Sequence, residues 1–184
     1  GRPMTRVSGE NPATAGINKS SMQPHETADR LRSRHPDAVI ASDLEALEPV
    51  LDIAVQAIRD VCHTLRDDPE LKFDYMMSLS GVDYIGMKDV TPAGALGVVY
   101  HLFSMDKKHK ITLRVRVPRD TPIVPTVSDI WPTANWHERE AFDLMGLTFS
   151  GHPDHRRILT SDDWAGHPLR KDYEFPTEYH GVPC

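Results

Sequence analysis

Cysteine is scarce in this chain: Cys62 and Cys184 are the two among 184 residues. Two thiols cannot build a disulfide scaffold, and they fall short of the four that hold an ordinary iron–sulfur cluster. Positive charge is also short, with 21 Lys+Arg against 27 Asp+Glu and a formal net charge of −6. A general nucleic-acid binder needs a basic surface to displace counterions, so that class is set aside. No apolar run approaches the ~20 residues of a membrane-spanning helix. The N-terminal stretch lacks the basic-then-apolar pattern of a secretory signal. Glycine motifs that cradle phosphates or dinucleotides are missing as well; Gly94 and Gly97 alone do not form one. We therefore expect a soluble protein of a reducing, intracellular compartment.

What is present suits one domain of roughly 100–150 residues with extensions. Residues 1–23 carry Gly, Pro, Ser, Asn and Thr without an apolar period and are expected to form a flexible N-terminal arm. A short helix is predicted over Pro24–Arg34, stopped by Pro36 and with Leu31 as its apolar anchor, followed by a strand at Val39–Ala41. Residues 49–54 read as a strand running into a helix over 55–67, where Val55, Ile58, Val61, Cys62 and Leu65 fall at helical spacing. Phe73, Tyr75, Met77 and Leu79 alternate with other residues, as do Leu96, Val98, Tyr100 and Leu102. Ile111, Leu113, Val115 and Val117 alternate strictly with Lys110, Thr112, Arg114 and Arg116, the pattern of a sheet with one buried face. Asp106–His109 reads as the hairpin loop between the last two runs. The expected fold is α+β: a two-layer domain over residues 24–147, its mainly antiparallel sheet packed on helices.

Beyond Val117 the texture changes. Prolines 118, 122, 125 and 132 suggest a stiff connector over the surface. A helix fits residues 134–145, with Gly146 placed to end it. Residues 148–184 lose all period and are expected to be an extended C-terminal docking tail. Its Trp164, Tyr173, Phe175 and Tyr179 among Arg156, Arg157, Arg170 and Lys171 form the aromatic-plus-Arg mixture of interface anchors.

Most candidate chemistry fails on spacing. His137-Glu138 opens like a helical zinc-hydrolase motif, but the second histidine such a site needs is replaced by Ala141. His152-Pro153-Asp154-His155 is half a metal site at best, and hydrogen-bonded tail histidines are the plainer reading. Cys62 reads as a packed core thiol and Cys184 as inert. Ser78 has no glycine framing of a nucleophile elbow. One helix stands out. Wound at about 100° per residue, it puts Glu138 in the arc of Ala141, Phe142, Leu144 and Met145, with Arg139, Glu140 and Asp143 opposite and Arg139 paired with Asp143. A carboxylate in such an arc must find a partner or take up a proton, unless the helix rolls to turn it to water. The sharper expectation is that Arg156, Arg157 or Arg170 folds back onto this acidic helix.

The run Trp136-His-Glu-Arg-Glu-Ala-Phe-Asp-Leu-Met-Gly-Leu-Thr-Phe-Ser-Gly-His-Pro-Asp-His-Arg-Arg-Ile-Leu159 resembles the signature of the C-subunit of NADH-quinone oxidoreductase, respiratory complex I. Asp162-Asp-Trp164 and Gly166-His-Pro-Leu-Arg-Lys-Asp-Tyr173 are similar to its downstream block. Leu65–Phe73, Val82-Asp-Tyr84 and Val99-Tyr-His-Leu102 extend the likeness over roughly residues 25–180. His155 stands where leucine is common in that family, and Phe142 where tyrosine is common.

The resemblance implies an α+β domain in the peripheral arm, at the cytoplasmic face of the bacterial inner (plasma) membrane. The membrane would be reached only through the complex, and the tail would lie along the neighbouring D-subunit. It also implies no catalytic centre or cofactor in this chain, with FMN, iron–sulfur clusters and quinone held by other subunits. Glu138, Arg139, Glu140 and Asp143 are then expected as polar anchors, with His152, Pro153, Arg156, Arg157, Trp164, Arg170, Lys171 and Tyr173 as their partners or as contacts to the D-subunit. Two alternatives remain at this point: an equivalent subunit of a membrane-bound energy-converting hydrogenase or related dehydrogenase, and an independent metal-dependent enzyme using the tail histidines.

Overall fold

The computed structural model describes residues 22–183; the expected arm over residues 1–21, and Cys184, lie outside the described residues. In chain order the elements are α1 (Pro24–Arg34), β1 (Val39–Asp43), β2 (Val50–Ile53), a 3-10 turn (Val55–Ala57), α2 (Ile58–Asp67), β3 (Tyr75–Asp83), β4 (Leu96–Phe103) and β5 (Lys110–Val117). Then come β6 (Ile123–Pro125), α3 (Ala134–Met145), β7 (Thr148–Ser150), β8 (Glu178–Tyr179) and β9 (Val182–Pro183).

β5 pairs on both sides and is the sheet's central strand. β3, β4 and β5 form an antiparallel meander, with Tyr100 opposite Leu79 on one side and Leu113 on the other. β2 joins β5 in parallel, Leu51 beside Leu113, and β1 pairs antiparallel with β2, giving the order β1-β2-β5-β4-β3. One face buries Leu96, Val98, Tyr100, Leu102, Ile111, Leu113, Val115 and Val117 in a core shared with α1 and α2. Ile58, Val61, Cys62 and Leu65 are the buried residues of α2, and Leu31 and Ala28 anchor α1. The other face is polar. Arg114 grips Asp52 at 2.5 and 2.9 Å, and Arg116 lies 5.6 Å from the centre of the Tyr84 ring. This is the expected two-layer α+β fold with a mainly antiparallel sheet.

Three local readings differ. Tyr75 and Met77 do not share a buried face with Leu79; they are about half exposed, while Met76 is buried. The register shifts between Met76 and Ser78, so Met77 is the extra residue of a bulge and parity flips there. The proline-rich connector is not confined to the surface: Val124, Val127, Ile130 and Trp131 enter the core, and the Trp131 indole N–H donates to the Phe73 carbonyl at 2.9 Å. Thr148–Ser150, assigned to the tail by its lack of period, is a strand. β7 pairs in parallel with β6, Phe149 beside Val124, so α3 is the crossover between them. The close seat of α3 on β3 depends on Gly81, where a Cβ would sit 2.9 Å from Met145 Cγ and 3.0 Å from Leu147 Cδ1.

Candidate functional site

Helix α3 is enclosed on most of its circumference, which no single apolar stripe would achieve. The connector covers one side and the tail another, leaving Trp136 and Glu140 exposed. Gly146 ends the helix in the left-handed region, φ 69°, a conformation that glycine adopts without a Cβ penalty.

Asp143 organises the tail side. Its side chain is fully buried. Oδ2 accepts the backbone N–H groups of Ile158, Leu159 and Thr160 at 3.0, 2.7 and 2.9 Å. Oδ1 accepts from the Arg157 guanidinium at 2.9 Å and from the Thr160 hydroxyl. Burial alone would raise this carboxyl, but the Thr160 hydroxyl, the Thr160 and Leu159 N–H groups and Arg157 outweigh it and hold it well below the ordinary carboxylate range. The helix C-terminus gathers further donors, as its exposed carbonyls and dipole favour. Arg157 reaches the Asp143 carbonyl at 3.2 Å, His167 Nδ1 lies 2.9 Å from the same carbonyl, and Arg170 Nε donates to the Met145 carbonyl at 2.8 Å.

Glu138 lies on the other side, where no arginine among the described residues hydrogen-bonds to it. Val127 N–H donates to Oε1 at 2.7 Å and the Thr126 hydroxyl lies 2.5 Å from Oε2. Burial pushes its carboxyl up to about 7 against the pull of those two donors. His152 Nε2 is 3.8 Å from Oε2 but faces the Asn135 carbonyl at 3.1 Å, and its Nδ1 accepts the Asp154 N–H at 3.0 Å.

The sequence-derived residues thus divide. Arg157 folds onto the acidic helix as expected; Arg156 instead pairs with Asp154 and is exposed, and Arg170 binds carbonyls rather than a carboxylate. The expected Arg139–Asp143 pair does not form. The tail intervenes: Arg139 lies 3.4 Å from Asp154, donates to the Arg156 carbonyl at 3.2 Å and stacks 5.1 Å from the centre of the Trp136 ring. Pro153 lines an open cleft beside Thr126. Lys171 N–H donates to Asp83 at 2.9 Å, the Tyr173 hydroxyl donates to the Ala165 carbonyl at 3.0 Å, and Trp164 packs against Tyr179. The two departures from the common pattern meet, the Phe142 and His155 rings being 4.1 Å apart. Among the described residues, no group of three or more His, Cys, Asp or Glu is arranged to hold a metal ion, and no helix is long and apolar enough to cross a membrane.

Sequence reasoning missed Thr126, Thr160, Asp83 and Arg119. Arg119 donates to Asp83 and, at 3.0 Å, to Asp172, tying the tail to the end of β3. Asp83 at a strand end was the one readable signal; the threonines lie in segments without period.

Residues 51–179 match the family described as respiratory-chain NADH dehydrogenase, 30 Kd subunit. The chain belongs to that family. It is 45% identical over 163 residues to the NADH-quinone oxidoreductase C-subunit of Chloroherpeton thalassium, covering 87% of this chain but 65% of that relative, less than two thirds of its length. The C-subunit of Chlorobium phaeobacteroides is 44% identical over 84% of this chain and 90% of its own. Among solved structures, a trypsin-resistant fragment of Nqo5 superposes with a TM-score of 0.59 at 27% identity, covering 72% of this chain and 99% of the fragment. A chain of an archaeal membrane-bound sulfane sulfur reductase superposes at 0.66 with 23% identity over 83% of this chain and 86% of its own, a likeness of fold. The match to this 30 Kd subunit family runs from β2 through the rest of the sheet, α3 and most of the tail, leaving out α1 and β1, so the Asp143 and Glu138 arrangements lie within it.

Proposed function

We propose that this chain is a non-catalytic structural subunit in the peripheral arm of a proton-translocating NADH:quinone oxidoreductase. There it holds redox-bearing neighbours in place while electrons pass from NADH to quinone. Electron transfer falls steeply with distance, so a rigid spacer serves the reaction without touching a reactant. On this reading FMN, iron–sulfur clusters and quinone belong to partner subunits, and the chain sits at the cytoplasmic face of the membrane through them.

The observation that carries the role is a tail pinned to the folded body while large apolar side chains on it and on α3 stay exposed. Asp143, Arg157, Arg119 and Asp83 pin it to the folded body, while Trp136, Leu159, Leu169 and Phe175 face solvent. Solvent-facing aromatic and aliphatic side chains on a fixed polar frame have the makeup of an interface core. On this reading the D-subunit is the partner, and Trp164, Lys171 and Tyr173 belong to the same contact. Relatives that share the C-subunit name at 43–45% identity favour the quinone-reducing form over a hydrogenase-type sister complex.

The test is a pull-down from membranes with the tagged full chain. It should recover the other peripheral-arm subunits together with NADH-dependent quinone reductase activity, and lose both when residues 151–184 are deleted. Recovery of the full chain only as a free species overturns the proposal.

A further inference from the structure

Helix α3 carries two buried carboxylates, and one of them lacks a cation. Asp143 is matched by Arg157. The Glu138 side chain is as fully enclosed, yet the arginine near enough to act on it is bound to other groups. From α2, Arg59 is held by Asp129 at 2.8 Å and by the Thr126 carbonyl at 2.9 Å, and Cys62 is a buried thiol. From the connector, Asp129 adds negative charge. From β4, Tyr100 brings a buried hydroxyl without a hydrogen-bond partner among the described residues. From the tail, His152 accepts at Nδ1 and faces a carbonyl with Nε2, and His155 Nε2 accepts the Phe149 N–H at 3.0 Å. An imidazole that accepts at one nitrogen is neutral. A buried carboxyl among such neighbours keeps a proton more readily than one in water.

The adjoining hydroxyls suit both the protonated and the ionised acid. Thr126 Oγ1 lies 2.5 Å from Glu138 Oε2 and 2.8 Å from Ser128 Oγ, and it accepts the Ser128 N–H at 3.1 Å. It has one hydrogen and cannot donate both ways at once. With Glu138 protonated, the acid donates to Thr126 and Thr126 donates to Ser128. With Glu138 ionised, both hydroxyls turn, Ser128 donating to Thr126 and Thr126 to the carboxylate. Thr126 and Ser128 line an open cleft of about 670 Å³ together with Arg59, Asp129, Ser150 and Pro153.

We propose that Glu138 is a proton-binding site of the folded chain, exchanging its proton with water in this cleft through the Thr126 and Ser128 hydroxyls. On release, the Glu138 O–H bond breaks and Thr126 Oγ1 takes that proton. The proton Thr126 held passes to Ser128 Oγ, and the proton of Ser128 passes to a water molecule. A carboxylate and a hydrated proton result, no electron moves, and uptake reverses each transfer. Burial puts the exchange near neutral pH, at about 7. The charge that appears lies beside His152, so the base of the tail senses it. The site is built from α3, α2 and the connector and does not depend on which partner the tail meets.

The experiment is a pH titration by NMR of the full chain, carbon-13-labelled at the glutamate carboxyls. One glutamate should titrate near about 7 and the signal should vanish in Glu138→Gln. Titration of every glutamate in the ordinary range, or survival of the high midpoint in Glu138→Gln, overturns the proposal. Ser128→Ala, at the half-buried mouth, leaves the carboxyl in place and should slow exchange at the midpoint by about tenfold or more. An exchange rate unchanged in Ser128→Ala overturns the hydroxyl route.

Discussion

Two carboxylates on one helix have their proton affinities moved in opposite directions, because burial prevails at Glu138 and the donors prevail at Asp143. Asp143 meets an arginine, a hydroxyl and three backbone N–H groups; Glu138 meets one hydroxyl and one N–H. The unfolded chain ionises Glu138 near its ordinary 4.5, and the folded chain holds the proton to about 7. Between those values unfolding releases a proton, so stability falls as pH rises, by on the order of 3 kcal/mol in all. In Glu138→Gln that slope should disappear, as urea midpoints at about pH 5 and about pH 8 will read. Asp143 works the other way: its contribution is present above the ordinary carboxylate range and lost as pH falls below it. Asp143→Asn turns an amide toward donors and leaves Arg157 without its charge. It should cost about 3 kcal/mol and raise amide exchange at residues 158–160.

At the scale of elements, the end of α3 is where body and tail meet. A Cβ at Gly146 would lie 2.5 Å from His167 Cδ2 and 2.6 Å from His167 Nε2, and the backbone there is left-handed. Gly146→Ala should therefore cost about 1–2 kcal/mol in backbone strain alone, and displace His167 and Arg170 from the helix carbonyls. Limited trypsin digestion should then remove the tail faster than from the unaltered chain, starting at exposed Arg156. The bounds of α3 were legible because Gly146 closes an apolar arc, and the burial of Glu138 followed from winding that arc. The burial of Arg139 and Asp143 was not legible, because what covers them is aperiodic chain 15–17 residues away. The β3 alternation misled for a different reason: a bulge at Met77 changes parity without changing composition.

Across the whole molecule, the layer architecture was readable because it rests on period-2 strands and a strongly amphipathic α2. The site was half readable. Its acids lie on a regular helix, whereas the partners Thr126, Thr160, Asp83 and Arg119 come from connectors and strand ends, where spacing carries no information. The parallel pairing of β6 and β7, with α3 between them, also decides how a load is borne. Chain enters β6 at one end of the pair and leaves β7 at the opposite end. Tension on the tail from a moving neighbour therefore pulls the two strands lengthwise past each other, straining all their rungs at once rather than peeling them one by one.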